Sequence, residues 1–319
     1  MPQVSVVIPT HRRPDSVERC LAALVAQDFD RYGFEIVIVD AADEARVRQI
    51  VGRWGMLTRG APALRYVPAG DALGEAGARN LGWRSASGEV IAFTNDDMVP
   101  HPNWLSEGMR AMDSGANAAA GSVAPPPGVV LAEDELDPVD AGTFGLPAAN
   151  CFVQRQALRA IGGFDERFTD GWDDDSDLQF RLIAAHCELV AAPRAIVQGP
   201  VMRKGWRDTL RQYRKSAFDA LLFKKHPGAY RGRARHATPW THYLIVASLL
   251  VILAGAIMRE PAVSWIGLGT WIALTAGHFS RRLRHTGRIG EAIAEAVAIP
   301  PVAVFWRLAG ALRFRVFFL

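Results

Sequence analysis

A chain of 319 residues is long enough for one large domain with appendages, or for two small ones. Its 36 basic and 33 acidic side chains nearly cancel to +3, so the totals exclude little, but basic residues crowd between Arg203 and Arg235 and again between Arg281 and Arg288. Half the residues are hydrophobic, high for a soluble enzyme, and the excess lies after Pro239. Three widely spaced cysteines, Cys20, Cys151 and Cys187, with no CxxC or Cys/His spacing, argue against a disulfide framework or a zinc site. Met1 to Thr10 has no basic start and no apolar core of signal-peptide length, so the expectation is a catalytic part that stays on the cytoplasmic side.

In chain order, the first half alternates short β-branched runs with helical patterns, as parallel α/β sheets do. Val4 to Ile8 predicts a strand stopped by Pro9; Asp15 to Gln27 predicts a helix with Val17, Leu21, Leu24 and Val25 on one face. Glu35 to Asp40 reads as a second buried strand that ends in a carboxylate. A helix at Glu44–Trp54, a strand at Leu64–Val67, a helix at Glu75–Ser85 and a strand at Val90–Phe93 follow, the last running straight into Asn95-Asp96-Asp97. A helix at Trp104–Met112 leads to a small-residue strand and a long loop, Pro125 to Leu146, of the length that is usually functional or mobile. Order is expected to resume at Ala149–Val153, with helices at Gln156–Ile161 and from near Asp177.

The C-terminal part has a different character. Trp240–Met258 and Ala262–Phe279 are apolar runs parted by Arg259-Glu260-Pro261, each of about 18 residues, nearly enough to span a bilayer core. A buried pair of soluble helices is the bland alternative; a membrane hairpin fits better, because the runs hold no acids and little amphipathic period. Arg231, Arg233 and Arg235 before it, and Arg281, Arg282, Arg284 and Arg288 after it, put both ends in the cytoplasm by the positive-inside rule. Trp206 to Lys225 predicts one basic amphipathic helix with Trp206, Leu210, Tyr213, Ala217 and Leu221 on its apolar face, suited to an anionic leaflet. A merely solvated basic face competes with that reading, and no nucleic-acid fold accompanies the charge. The tail Ile289–Leu319, interrupted by Pro300-Pro301 and three arginines, reads as interfacial. The expected division is therefore 1–202 catalytic, 203–238 juxtamembrane, 239–280 two transmembrane helices and 281–319 a basic tail.

Ligands of open α/β sheets bind at the carboxyl ends of strands. Three polar groups lie at such ends: Pro9-Thr10 with His11, Arg12 and Arg13; Asp40; and Asn95-Asp96-Asp97. An acid there is more often a turn former, yet three on one edge make a polar crevice. Magnesium or manganese on a diphosphate needs only one or two protein carboxylates, because phosphates and waters complete its octahedron. A second acidic cluster, Trp172-Asp173-Asp174-Asp175-Ser176-Asp177-Leu178, follows the tight turn Ile161-Gly162-Gly163-Phe164-Asp165-Glu166. Helix capping accounts for Asp177 and Asp173, which leaves a carboxylate over for general-base work.

Taken together, VSVVIPTHRR, EIVIVDAAD, GARNLGWRSASGEVIAFTNDD, IGGFDERF and DDDSDLQFRL resemble the successive motifs of the family-2 glycosyltransferases, over about Pro2 to Ile196. The resemblance implies an α/β GT-A fold (Rossmann-like, with a mostly parallel sheet), followed here by the C-terminal helical membrane hairpin. It implies that Asp40 recognises the nucleotide base, that Pro9, Thr10, Arg12 and Arg79 line the same pocket with Asn95, that Asp96 lies near the ribose and that Asp97 holds the metal. It makes Asp175 the catalytic base, with Asp174 as the neighbouring alternative. Four departures stand out: Asn95 replaces an acid, Gln198-Gly199 stand where a metal-binding His is expected, Ala41-Ala42-Asp43 follow Asp40, and the QxxRW element of processive members is absent.

The expected function is inverting transfer of one sugar from a UDP-, GDP- or TDP-sugar, with Mg2+ or Mn2+, to a hydroxyl acceptor that the hairpin suggests is lipid-linked, at the cytoplasmic face of the inner membrane. Membrane lipids are expected partners and nucleic acid is not; the oligomeric state is left open. The competing reading is a catalytically degenerate scaffold that binds nucleotide sugar, motivated by Asn95 and the missing His.

Overall fold

The computed structural model describes residues 2–70, 73–126, 145–169, 173–200, 206–232, 240–286 and 289–317. Trp172, most of the loop expected at Pro125–Leu146, and Arg233, Arg235 and Arg288 of the basic flanks lie outside them, as do the side chains of Trp206, Arg207, Arg211, Arg282 and Arg284. The chain forms two compact units, one holding the described residues up to 200 and the other those from 206 onward.

The first unit runs β1 (Val4–Thr10), α1 (Pro14–Val25), β2 (Phe34–Asp40), α2 (Ala45–Thr58), β3 (Ala63–Pro68), α3 (Glu75–Ser85), β4 (Val90–Thr94) and β5 (Val99–Pro100). It continues with α4 (Trp104–Met112), β6 (Ala118–Ala124), β7 (Asn150–Gln154), α5 (Arg155–Ile161), α6 (Asp174–Ala184) and β8 (Leu189–Gln198). The strands form one sheet in the order β3-β2-β1-β4-β7-β6-β8-β5. The half that alternates strand and helix in sequence, β3-β2-β1-β4, is parallel. Beyond β4 the sheet is mixed: β7 runs antiparallel to β4 and to β6, β8 is parallel to β6, and β5 is antiparallel to β8.

Every residue of β1 and β2 is buried, because helices cover both faces of the sheet. The strand period of two sorts the side chains. Val6 and Ile8 pack with Val17, Leu21 and Leu24 of α1 and with Trp104 of α4, whereas Val7 packs with Trp83 of α3, Leu158 of α5 and Leu178 of α6. The register pairs Thr10 with Asp40, so the ends of β1 and β2 share one edge. Cys20 and Cys151 are buried free thiols, pushed upward in pKa by that burial.

The mixed half is built around Phe152 and Asn150. Phe152 is fully buried against Trp104, with ring centroids 5.1 Å apart. Asn150 accepts from Trp104 Nε1 at 2.8 Å and donates to the carbonyls of Ser122 and Ala195 at 2.8 and 2.9 Å, tying α4, β6 and β8 to β7. Gly108 is required by close approach: a Cβ there would stand 2.0 Å from Phe152 Cζ. Gly108→Ala is expected to cost about 1–3 kcal/mol by overpacking. Urea unfolding measures it, and an unchanged midpoint would contradict this packing.

The second unit contains α7 (Trp206–Lys215), a 3-10 turn (Ser216–Phe218), α8 (Asp219–Lys225), α9 (Pro227–Arg231), α10 (Trp240–Met258), α11 (Pro261–Thr286) and α12 (Ile289–Phe314). The single amphipathic helix expected over 206–225 is thus broken at 216–218. Its Ala217 and Phe218 pack on α12 rather than facing outward: Phe218 lies 6.0 Å from Phe314, and a Cβ on Gly310 would meet the Ala217 carbonyl at 2.2 Å. Burying the apolar face on protein outweighs continuing one straight helix.

α10 and α11 form a close antiparallel pair, in which a Cβ on Gly255 would meet Ser264 N at 2.6 Å. The tail differs from its expected form. It is one continuous 26-residue helix through Pro300-Pro301, with Arg307 buried 3.7 Å from Asp219. Among the described residues, two helices are long and apolar enough to cross a membrane, α10 and α12. The expected second span, Ala262–Phe279, is helical within α11, but Gly267, Gly269, Thr270, Gly277 and His278 dilute its apolar character.

Candidate active site

The carboxyl ends of β1, β2 and β4 bring their polar residues together. Thr10 closes β1 and donates its hydroxyl to Asp96 Oδ2 at 2.7 Å. Burial pushes the Asp96 carboxyl upward in pKa, opposed by that hydroxyl and by Arg13. Arg13 Nη1 lies 3.5 Å from Asp96 Oδ1 and 3.2 Å from Asp97 Oδ2. The other oxygen of Asp97, Oδ1, is buried with no hydrogen-bond partner. An orphaned carboxylate oxygen of this kind suits one cation whose remaining ligands are phosphates and waters. Pro9 is buried beside Thr10, and Arg12 lies in the exposed turn before α1 with left-handed backbone, φ 55°.

Asp40 is placed differently from a residue open to a base. It is fully buried, accepts from the Ala42 and Glu44 amides at 3.0 and 2.7 Å, and lies 2.9 Å from the Tyr66 hydroxyl. The four-residue β2–α2 connection has backbone N–H groups that need acceptors, and this carboxylate supplies them. Burial, then the two carboxylates Asp40 and Asp43, raise the Tyr66 phenol, so it remains a donor.

Arg79 joins the two acidic stretches. From α3 it donates to Asp174 Oδ2 at 2.6 Å, to Asn95 Oδ1 at 3.2 Å and to Glu75 Oε2 at 3.2 Å. Its guanidinium also lies 5.5 Å from the Phe164 ring. With only 3% of its side chain exposed, Arg79 is a buried tie between the end of β4 and the start of α6, not an open wall of a nucleotide pocket. Asn95 is therefore the acceptor of this arginine.

Helix α6 begins at Asp174, so Asp174, Asp175 and Asp177 all lie in its first turn, where acids complement the dipole. The expected capping roles do not hold as expected. Asp173 stands at the N-cap with left-handed backbone, φ 59°, and no side-chain cap bond, while Asp177 pairs with Arg181 at 2.7 Å. Asp174 is buried, and that burial, against the pull of Arg79, pushes its carboxyl up to about 6. Asp175 alone among residues 173–180 is half-buried rather than buried. Its Oδ1 accepts from the Ser176 amide at 2.6 Å. The first turn thus holds two acids committed to structure, Asp174 and Asp177, and one, Asp175, that solvent can reach.

Asn80, a residue sequence reasoning passed over, holds the turn before this helix. It donates to the Phe164 carbonyl at 2.8 Å and accepts from the Phe164 amide at 2.9 Å. Gly163 at φ 78° passes so close that a Cβ would stand 2.3 Å from Asn80 Oδ1. The available signal was its place beside Arg79 on one helix. Gln198 ends β8 paired with Val99, two residues after Asp97, so the position lacking the expected His does adjoin the acidic segment.

A parallel α/β half-sheet with a buried polar edge, continued by a mixed half, is the architecture of GT-A sugar-transferring enzymes. Residues 5–134 match the model of glycosyl transferase family 2, and residues 141–279 that of glycosyl transferase family group 2. The chain belongs to family 2 of the glycosyltransferases and is a glycosyltransferase. It is 23% identical over 222 residues to glycosyltransferase AglE of Haloferax volcanii, covering 65% of this chain and 72% of that protein. Among solved structures it resembles the mannosyltransferase PcManGT of Pyrobaculum calidifontis in complex with GDP-Man and Mn2+, with TM-score 0.57, 19% identity and coverage of 98% of this chain and 87% of that one. It also resembles S. aureus TarS 1-349 in complex with UDP-GlcNAc, with TM-score 0.53, 16% identity and coverage of 100% and 93%.

Proposed function

We propose that this glycosyltransferase moves a single sugar from a nucleoside-diphosphate donor to a hydroxyl acceptor with inversion, and that the acceptor is lipid-linked. One observation carries the reading: Arg79 spans from Asn95 to Asp174, so the acids after β4 and those opening α6 belong to one site. The donor's ribose and diphosphate lie over the ends of β1 and β4, against Thr10, Asp96 and Asp97. Asp97 would hold Mg2+ or Mn2+, which when bound would supply positive charge to a diphosphate leaving group. Asp175 accepts the proton of the acceptor hydroxyl as its oxygen attacks the anomeric carbon opposite the leaving group. Arg79 keeps Asp174 charged and in place, which leaves Asp175 to meet the acceptor.

Solved structures of similar fold that hold GDP-Man with Mn2+ and UDP-GlcNAc support a sugar-diphosphate donor and a divalent cation. The apolar helices α10 and α12 support a reading of residence at a membrane and a lipid acceptor, and the basic flanks favour the cytoplasmic face for the catalytic unit. The test is to incubate the purified chain, reconstituted in bilayers, with UDP-, GDP- and TDP-sugars, Mn2+ and extracted polyprenyl phosphates. One sugar per lipid, with anomeric configuration opposite to the donor's, is the expected product. Retention of configuration, polymer formation, or nucleotide binding with no transfer would overturn the proposal.

A further inference from the structure

Asp96 and Asp97 are neighbouring carboxylates that share one guanidinium. Arg13 Nη1 reaches both, at 3.5 and 3.2 Å. Thr10 holds Asp96 from the other side, so that carboxylate is fixed. Asp97 is half satisfied: Oδ2 takes Arg13, and buried Oδ1 has no partner. The three groups differ in freedom. The Arg13 side chain is 58% exposed, against 6% for Asp96 and 24% for Asp97. The acids are set in the protein, and the cation sits at the solvent side on a flexible stem, just before Pro14 opens α1.

A divalent cation at Asp97 would stand within a few ångströms of the Arg13 guanidinium and be repelled by it. A diphosphate brought to the same place attracts both. We propose that Arg13 is an exchangeable counter-ion and positioning residue. Without donor it neutralises Asp96 and Asp97 and holds off the divalent cation; with donor it turns from the carboxylates to the diphosphate oxygens. The inference rests on the proposed role of Asp97. Its consequence is linkage: the cation binds weakly to the free protein and firmly with the nucleotide, and each ligand favours the other equally.

The test uses the full chain in detergent and two binding measurements on Arg13→Gln, Arg13→Lys and Asp97→Asn. Free Mn2+ is followed by its paramagnetic resonance with no nucleotide present, and UDP and GDP are titrated calorimetrically at saturating Mn2+, with uridine and guanosine as phosphate-free controls. Arg13→Gln is expected to bind Mn2+ alone about tenfold more tightly and whichever diphosphate is recognised about tenfold more weakly, the scale of a unit charge near a divalent ion in water. The nucleosides should be unaffected, and Arg13→Lys should restore most of both effects. A general disturbance of folding would weaken both ligands, so the opposed signs are the signature. Unchanged Mn2+ affinity in Arg13→Gln, with Asp97→Asn weakened, overturns the role of Arg13 alone. Asp97→Asn binding Mn2+ like the parent removes the Asp97 site and this inference with it.

Discussion

Asp175→Asn should reduce sugar transfer by about 10²- to 10⁴-fold, the usual worth of a positioned general base, while leaving the unfolding curve in place. The reason for expecting so clean a separation is its setting. Asp175 is half-buried on the first turn of α6, and its Oδ1 accepts from the Ser176 amide, a bond that an asparagine oxygen can replace. Its neighbour is the control. Asp174→Asn removes the charged partner of Arg79 at 2.6 Å, so it should lower activity and stability together. Nucleotide affinity is expected to be untouched in Asp175→Asn, because the donor-facing groups come from the ends of β1 and β4. Transfer within about threefold of the parent would place the proton acceptor elsewhere.

Arg79→Met should destabilise the first unit by about 3–5 kcal/mol, because it leaves a buried carboxylate without its counter-charge. In a unit of this size that lowers Tm by about 10 °C. The loss should depend on pH, with a sign that follows from the carboxyl. Asp174 is raised to about 6 in the folded protein even with Arg79 beside it, above the unfolded value of about 3.9. A folded carboxyl that holds its proton more tightly than the unfolded one contributes stability that is fully present below about pH 4 and is lost as the pH rises through the folded value. Without Arg79 the folded value climbs further, so at pH 5 the carboxyl is neutral and little charge is stranded. The deficit against the parent should therefore be small at pH 5 and grow as the pH rises toward 8. A deficit below about 1 kcal/mol at pH 8, or one that grows on acidification, would show that the tie does not bear on stability.

The same pair explains why Asn95 suits its position. An acid there would put a further charge beside Asp96 and compete for Arg79 with Asp174; the amide oxygen accepts from Arg79 at 3.2 Å and adds none. One of the two departures from the family pattern that motivated the degenerate reading is thus accommodated by a specific hydrogen bond.

Much of the parallel half-sheet was legible in the residues themselves. Val4 to Ile8, Ile36 to Val39 and Val90 to Phe93 are short β-branched or aromatic runs, which helices on both faces then bury, and each stops where polar residues begin. Local chemistry thus located the strand ends and the acids upon them, and the resemblance of five short motifs pointed to the family. It could not say what those acids touch. Arg79 lies 95 residues from Asp174, and Thr10 lies 86 from Asp96, separations at which no periodicity carries information. Which aspartate of α6 solvent reaches, why Asp40 is buried, and where the helix over 206–225 breaks were all decided by packing. Desolvation makes a buried charge choose a partner, and an apolar face choose protein over solvent, only after distant segments have met.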